Sequence, residues 1–470
     1  MLLKDNFVNR KSELGFFRKA LDGKAAELIL LYGRRRVGKT TLLREIAETA
    51  KIPVLYHVAA QTTRTAELER LSAAMAEFFQ DNLLRSQPLR SWESVWIYLG
   101  QKAGTPFGLM LDEFPYAVEG DPALPSLLQN EWDRHLRKTS IKIILCGSSI
   151  SMMERIGLAE SSPLYGRRTG QWRLTPFGPE EFGLLWPVDN LVDLLTAYSI
   201  TGGNPHYIGC FDPRVSILKN IHDQILAKGS MLYEEVPFLL REEVRDPRVY
   251  QAILAAAAGG ARKFSELSGK TGLAKAHLTR YLAILSDLGI MEREVPVTEI
   301  RPEKSRKGLY RIIDPFVAFW YRFVFPHRDR LELGETAAVL RDEVRPDLET
   351  YVSRVVEPHL GALFRGRWRH LVPFPPAFAG RYWDAKREID WLILDRERKR
   401  AAAVEVKWTA SPVSARRLAK GLKAKIAEVE ELKDAETTFI LISRAGFRDA
   451  IPDEVCSLIS LREKAAGITD

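Results

Sequence analysis

The stretch "ELILLYGRRRVGKTTLLREIAETA" leaves this chain few folding options. Glu27 to Tyr32 reads as an apolar strand, Gly33-x4-Gly38-Lys39-Thr40 as a loop, and the remainder as an amphipathic helix. Gly33 and Gly38 permit backbone angles at which consecutive N–H groups point at phosphate oxygens, and the helix directs its positive end to the same place. Lys39 is then set to reach β- and γ-phosphates, and the Thr40 hydroxyl to ligate Mg²⁺. The candidate nucleotide-binding residues of the segment are Gly33, Val37, Gly38, Lys39, Thr40 and Thr41.

A second apolar run, "FGLMLDEF", ends in Asp112-Glu113. A parallel sheet presents a Mg²⁺-organising aspartate at such a point, and the adjacent Glu113 is placed to activate water. Alone, an acid pair after an apolar run is an ordinary strand end; beside a phosphate loop it completes a site. Further strands read at "PVLYHVAA", "IKIILCGSS" and "WRLTPF", separated by helical stretches. The expected core is therefore an α/β parallel sheet with its ligand at the strands' carboxyl ends. Ser148 and Ser149 suit either a sensor of the γ-phosphate or the cap of the next helix.

The ordered motifs "FVNRKSEL", "LYGRRRVGKTTLL", "LMLDEF", "ILCGSS", "SPLYGRRTG" and "TGGNPHYI" resemble those of the archaeal-type ATPase family, a branch of the STAND and AAA+ P-loop NTPases. The resemblance spans roughly the first 210 residues. It implies ATP and Mg²⁺ as cofactors and a homo-oligomer as one assembly. It also implies that Arg167 or Arg168 is an arginine finger or nucleotide sensor, in cis or across a subunit interface. Pro205 of "GGNP" would touch the nucleotide, and Asn9 and Arg10 would lie near the adenine. Residue chemistry alone reads Arg167-Arg168 as a solvated pair and Gly202 to Pro205 as a turn.

With 470 residues the chain is too long for one ordinary core. Lys and Arg exceed Asp and Glu by 69 to 61, a net charge of +8 that favours polyanions such as DNA. Cys146, Cys210 and Cys456, odd in number and far apart, fit reduced thiols in a cytoplasmic protein. Neither a signal peptide nor a membrane span is expected.

In the middle of the chain "YQAILAAAAGG", "KFSELSGKTG" and "AKAHLTRYLAILSDLGI" read as three short helices, followed by two strand-like pieces around a basic loop. That order points to a winged helix-turn-helix. Leu278, Leu282 and Leu285 keep helical spacing and belong to its core; Lys275, His277 and Arg280 are left to face a major groove, with Arg301, Lys304, Arg306 and Lys307 near phosphates. In "DPFVAFWYRFVFP", Phe316, Phe319, Trp320 and Phe323 share one helical face, which suits a buried connecting helix better than a base-stacking platform.

The last stretch returns to mixed α and β character. A helix "DLETYVSRVVEPHLGALF" carries Glu357, a strand "REIDWLIL" carries Asp390, and a strand "AAAVEVKW" carries Glu405 and Lys407. Alternation points Glu405 and Lys407 to one face, and a hairpin brings Asp390 close to them. Clustered carboxylates repel unless a cation sits between them, and Mg²⁺ is the hard ion suited to carboxylate oxygens and a scissile phosphate. The stretch resembles the PD-(D/E)XK nuclease fold. That resemblance matches Asp390, Glu405 and Lys407 to its aspartate and E-x-K, and Glu357 to its helix-borne acid; Ile389 stands where the motif has proline. The bland alternative is a surface ion pair on an edge strand.

The expected organisation is a P-loop ATPase core over 1–178, a helical lid over 179–240, a winged helix over 241–313, an aromatic connecting helix over 314–341 and a nuclease-like α/β domain over 342–470. The expected function is an ATP-driven switch or motor coupled to a Mg²⁺-dependent, DNA-directed nuclease-like domain. Its rival is an oligomerising signalling ATPase whose C-terminal modules bind DNA or protein without cutting.

Overall fold

Each apolar run before residue 177 becomes a strand: β1 (Glu27–Tyr32), β2 (Val54–Val58), β3 (Gly108–Asp112), β4 (Lys142–Gly147) and β5 (Gly170–Arg173). They form one sheet in the order β2-β3-β4-β1-β5, parallel throughout. Every residue of β3 and β4 is buried, the condition of parallel strands covered on both faces. Leu42, Leu43 and Ile46 of the helix Lys39–Thr49 pack with Leu14, Phe17 and Leu21 of the helix Lys11–Asp22 against Ile29, Leu31, Met110 and Ile144. The computed structural model describes residues 7–188, 190–363, 371–450 and 455–460, with the backbone alone at 359–363 and 455–460. The chain divides into two compact units, Met1–Pro176 with Glu242–Val244, and Phe177–Arg241 with Arg245–Asp470.

In the second unit the helices Pro247–Ala258, Phe264–Thr271 and Lys275–Asp287 precede an antiparallel pair, β6 (Met291–Glu294) and β7 (Leu309–Ile312), in register from Met291↔Ile312 to Glu294↔Leu309. Leu278, Leu282 and Leu285 are buried, while Lys275, His277 and Arg280 are exposed. Phe316, Phe319, Trp320 and Phe323 are no more than 2% exposed. The Trp320 indole N–H donates to the Tyr233 carbonyl at 2.8 Å, so this aromatic face is core and offers no platform to a base.

The C-terminal sheet runs β12-β11-β10-β9-β8, with β8 (Phe378–Trp383), β9 (Glu388–Leu394), β10 (Arg400–Lys407), β11 (Glu436–Ser443) and β12 (Val455–Ser460). β8, β9 and β10 are mutually antiparallel; β10, β11 and β12 are parallel. Ala415, Ala419, Leu422 and Ile426 of the helix Ala415–Ala427 pack against Ala401, Ala403 and Leu441 of this sheet. The segment after β6 docks on β8, where Val297 N–H donates to the Arg381 carbonyl at 2.9 Å and Arg381 pairs with Glu294 at 3.1 Å. No described helix is long and apolar enough to cross a membrane. Cys146 and Cys210 are free thiols, and the side chain of Cys456 lies outside the described residues.

Candidate active site

The loop after β1 is shaped by its own glycines. Gly33 has φ 153°, and a Cβ there would meet the Leu174 carbonyl oxygen at 2.2 Å. Gly38, at φ 96°, turns the chain into the helix Lys39–Thr49. Arg10, only 4% exposed, braces the loop from outside: its guanidinium donates to the Val37 carbonyl at 3.1 Å and the Thr175 carbonyl at 2.9 Å, and pairs with Glu13 at 3.0 Å. Asn9 and Arg10 both have positive φ, so the strained entry to the first helix sits beside the phosphate loop.

Lys39 is buried, with its ammonium donating to the carbonyls of Gly33 and Arg34 at 2.8 Å each. A third N–H remains for a phosphate oxygen. Burial lowers the Lys39 pKa, opposed by Cys146, Glu113, Asp112 and Glu243. Thr40 Oγ donates to Asp112 Oδ2 at 2.8 Å, and Asp112 also accepts from the Tyr56 hydroxyl at 2.9 Å and the Glu113 N–H at 3.0 Å. Thr40 and Asp112 thus bring two hard oxygen donors together, the donor set that suits Mg²⁺. Thr41 stands exposed on the same first helical turn.

Glu113 adopts the left-handed conformation at φ 52° directly after β3. Its carboxylate accepts from Ser148 Oγ at 2.7 Å. Ser149 instead caps the helix Ile150–Met153, accepting from Met152 N–H at 3.4 Å. The adjacent serines therefore divide the two tasks between them. Cys146, one turn of chain earlier on β4, is an apolar filler whose thiol pKa is pushed far up by burial and by Asp112.

The second cluster lies on the C-terminal sheet. The β9–β10 ladder ends at Val404↔Trp391, and beyond it Asp390 Oδ2 accepts the Val406 N–H at 2.8 Å. This hydrogen bond fixes Asp390 next to Glu405. Lys407 Nζ lies 2.7 Å from Glu405 Oε1, as strand alternation requires, and Lys425 from the helix Ala415–Ala427 adds a contact of 3.0 Å to Oε2. Glu357 accepts from Ser353 Oγ at 2.7 Å, and the Trp391 indole donates to the Glu357 carbonyl at 3.1 Å. Burial pushes the Asp390 carboxyl up to about 7, reinforced by Glu405 and Glu357 and opposed by the Val406 N–H and Lys407. Burial also raises Glu357, against Ser353 and Lys407. For Lys407 burial works downward, and Glu405 more than offsets it, leaving the ammonium raised. Among the described residues no group of three or more His, Cys, Asp or Glu is arranged to hold a metal ion. Glu357, Asp390 and Glu405 feel one another's charge, but Glu405 turns its oxygens to two ammonium groups.

Residues 7–211 match a family model described as an ATPase domain predominantly from Archaea, and residues 320–420 match one described as "Archaea bacterial proteins of unknown function". An uncharacterized protein of Methanocaldococcus jannaschii is 32% identical over 403 residues, covering 86% of this chain and 87% of that one. The chain belongs to this archaeal-type ATPase family. A shorter uncharacterized ATP-binding protein of the same organism is 54% identical over 46 residues, 10% of the ATPase studied and 78% of its own length. Among solved structures, the Walker-type ATPase of Pyrococcus abyssi superposes with a TM-score of 0.50 at 22% identity, over 68% of this chain and 97% of that one. That likeness establishes a P-loop NTPase fold.

Several residues of the ATPase stand elsewhere than sequence reasoning anticipates, or were not anticipated at all. Arg167 pairs with Asp133 at 3.0 Å, and Arg168 donates to the Gly157 carbonyl at 2.5 Å beneath the Tyr165 ring. Pro205 opens the helix Pro205–Cys210 of the second unit, capped by Asn204. Tyr56, Arg10's brace, Lys425 and Glu243 carry no sequence signal as site residues. Glu243 is 9% exposed and packs with the first unit; burial pushes its carboxyl up to about 6, opposed by Arg34, Lys39 and Arg35. The neighbouring Glu242 pairs with Arg35 at 2.7 Å, and Arg35 also donates to the Tyr116 hydroxyl at 2.9 Å.

Proposed function

We propose that this ATPase is a nucleotide-driven switch whose second unit carries a winged helix and a nuclease-like, DNA-directed module. The observation that carries the switch is the continuous chain Thr40–Asp112 and Glu113–Ser148 at the carboxyl ends of β1, β3 and β4. Loop N–H groups from Gly33 to Thr41 and the Lys39 ammonium would hold the triphosphate; Thr40 and Asp112 would hold Mg²⁺, which when bound neutralises charge on the β- and γ-oxygens. Glu113 would take the proton of the attacking water, its free carboxylate oxygen aimed by the bond from Ser148. Arg167 or Arg168 serves as finger or sensor in this reading, after exchanging Asp133 or the Gly157 carbonyl for phosphate.

Lys39→Ala is expected to lose about 1.5–3 kcal/mol of charge-assisted contact with nucleotide. Isothermal titration with ATP measures it, and unchanged affinity removes Lys39 from the site. Glu243 sets a second expectation. Its ionised carboxylate beside Lys39 opposes an incoming phosphate, so ATP binding should tighten as pH falls through about 6. Glu243→Gln should bind ATP on the order of tenfold more tightly at pH 8 and match the wild type near pH 5. An identical pH profile in both proteins excludes that role.

For the nuclease-like module, the support is the placement of Asp390 and the Glu405–Lys407 pair on adjacent strands. A second reading, a DNA-binding module that does not cut, draws on the opposite observation: as positioned, the three acids do not fit a shared divalent cation, because Lys407 and Lys425 occupy Glu405. Lys407→Ala separates the readings. It abolishes nicking of plasmid DNA in Mg²⁺ buffer under the first and leaves DNA binding and ATP turnover unchanged under the second.

A further inference from the structure

Two clefts of the second unit meet at Arg262, Arg381 and Glu388. The larger, about 1320 Å³, opens between the start of the helix Phe264–Thr271, the loop before β7 and the turn between β8 and β9. The smaller, about 520 Å³, continues to Glu357, the helix-borne acid of the carboxylate cluster.

The charges of the larger cleft are lopsided. Arg381 pairs with Glu294 and Glu388, Lys307 with Glu299 and Arg387 with Asp384. Arg262, Lys263, Lys275, Arg306 and Lys386 also line it and make no ion pair among the described residues. Five uncompensated cations facing one concavity repel each other, and a concave low-dielectric wall concentrates their field on a polyanion. Two aromatic rings sit in the same wall. Phe264 borders Tyr310, and the Trp383 indole is anchored by donating to the Lys307 carbonyl at 3.1 Å. Rings set in a basic concavity meet base faces only when those bases are unstacked from a partner strand.

We infer that this cleft binds a single polynucleotide strand, its phosphates on Arg262, Lys263, Lys275, Arg306 and Lys386 and its bases against Phe264 and Trp383. The strand then runs past Arg381 towards Glu357. The inference rests on the DNA-directed reading of the second unit and adds to it a ligand form and a path: the winged helix and the C-terminal sheet grip one strand jointly.

The test is fluorescence anisotropy of the full chain with labelled oligo-dT and oligo-U of about 15 nucleotides, and with a duplex of matching length, across a salt series. The paired substitutions Lys263→Glu and Arg306→Glu alter exposed side chains, so far-UV dichroism and unfolding temperature should stay those of the wild type. Binding of either single strand ahead of duplex is expected, as is a weakening of tenfold or more in the double variant, about 10-fold for each phosphate contact inverted, with a salt slope shallower by about 1.4. Phe264→Ala should weaken binding by about fivefold or more without changing that slope. Undiminished single-strand binding by the double variant overturns the cleft while leaving the DNA-directed reading intact, and so does a preference for duplex. Absence of binding to every polynucleotide overturns both.

Discussion

Glu113→Gln is expected to bind ATP as the wild type does and to turn it over about 100- to 10,000-fold more slowly, the range for losing a positioned general base. Glutamine keeps the size of the side chain and an acceptor for Ser148 Oγ, so the bond of 2.7 Å that aims it survives. The left-handed backbone at residue 113 is unaffected by the exchange, and the Glu113 N–H continues to serve Asp112. What disappears is a site for the water's proton. Phosphate release under saturating ATP gives the rate, and titration calorimetry gives the affinity. Ser148→Ala supplies the graded comparison: the base remains but loses its aim, so turnover should fall by about tenfold, the worth of one hydrogen bond to a charged group. Undiminished turnover in Glu113→Gln would sink the assignment, since no other acid is held by Ser148 at this strand end.

The contrast with Lys39→Ala is a consequence of geometry. Lys39 holds two loop carbonyls as well as facing phosphate, so its loss disturbs the ground-state grip. Glu113 contacts only Ser148 and its own neighbour, so its loss is felt in the transition state. One variant should therefore move affinity and the other the rate.

These two residues were legible in the sequence because the chemistry is local. A loop of fixed spacing between a strand and a helix dictates its own backbone, and an acid pair after an apolar run can only emerge at a strand end. Glu405 and Lys407 were legible for a similar reason, since a period of two leaves no choice of face. Contacts between distant segments carried no such signature. "LLREEVRD" reads as the polar end of a helix, yet Glu243 is buried because the chain returns to the first unit there. Arg167 looks solvated until the fold sets Asp133 beside it. Lys425 belongs to a basic helix whose apolar stripe, Ala415, Ala419, Leu422 and Ile426, is plain; that its stem lies along the edge of that stripe and delivers an ammonium to Glu405 depends on the sheet beneath. The same contact explains why the expected carboxylate trio does not close around a cation.

Asp390→Asn is expected to stabilise the protein at neutral and alkaline pH. The folded carboxyl is pushed up to about 7 from 3.8, so the folded chain holds this proton more tightly than the unfolded chain does. Ionising it therefore costs stability that begins to accrue above pH 3.8 and is fully present above about 7. Asparagine removes that cost and can still accept the Val406 N–H through its amide oxygen. The gain should be on the order of 2–4 kcal/mol at pH 8, read as a rise of roughly 5 °C or more in the unfolding temperature, and it should vanish below about pH 4. Part of the cost comes from Glu405, so Asp390→Asn combined with Glu405→Gln should gain less than the two single exchanges added together. A group retained at such expense does work elsewhere, and the nicking assay identifies it: if wild-type protein cuts DNA and the stabler Asp390→Asn does not, stability has been yielded to chemistry at this strand. A fall in unfolding temperature at pH 8 would instead mean that Asp390 is a structural acceptor whose charge the sheet requires, and the carboxylate cluster would lose its standing as a site.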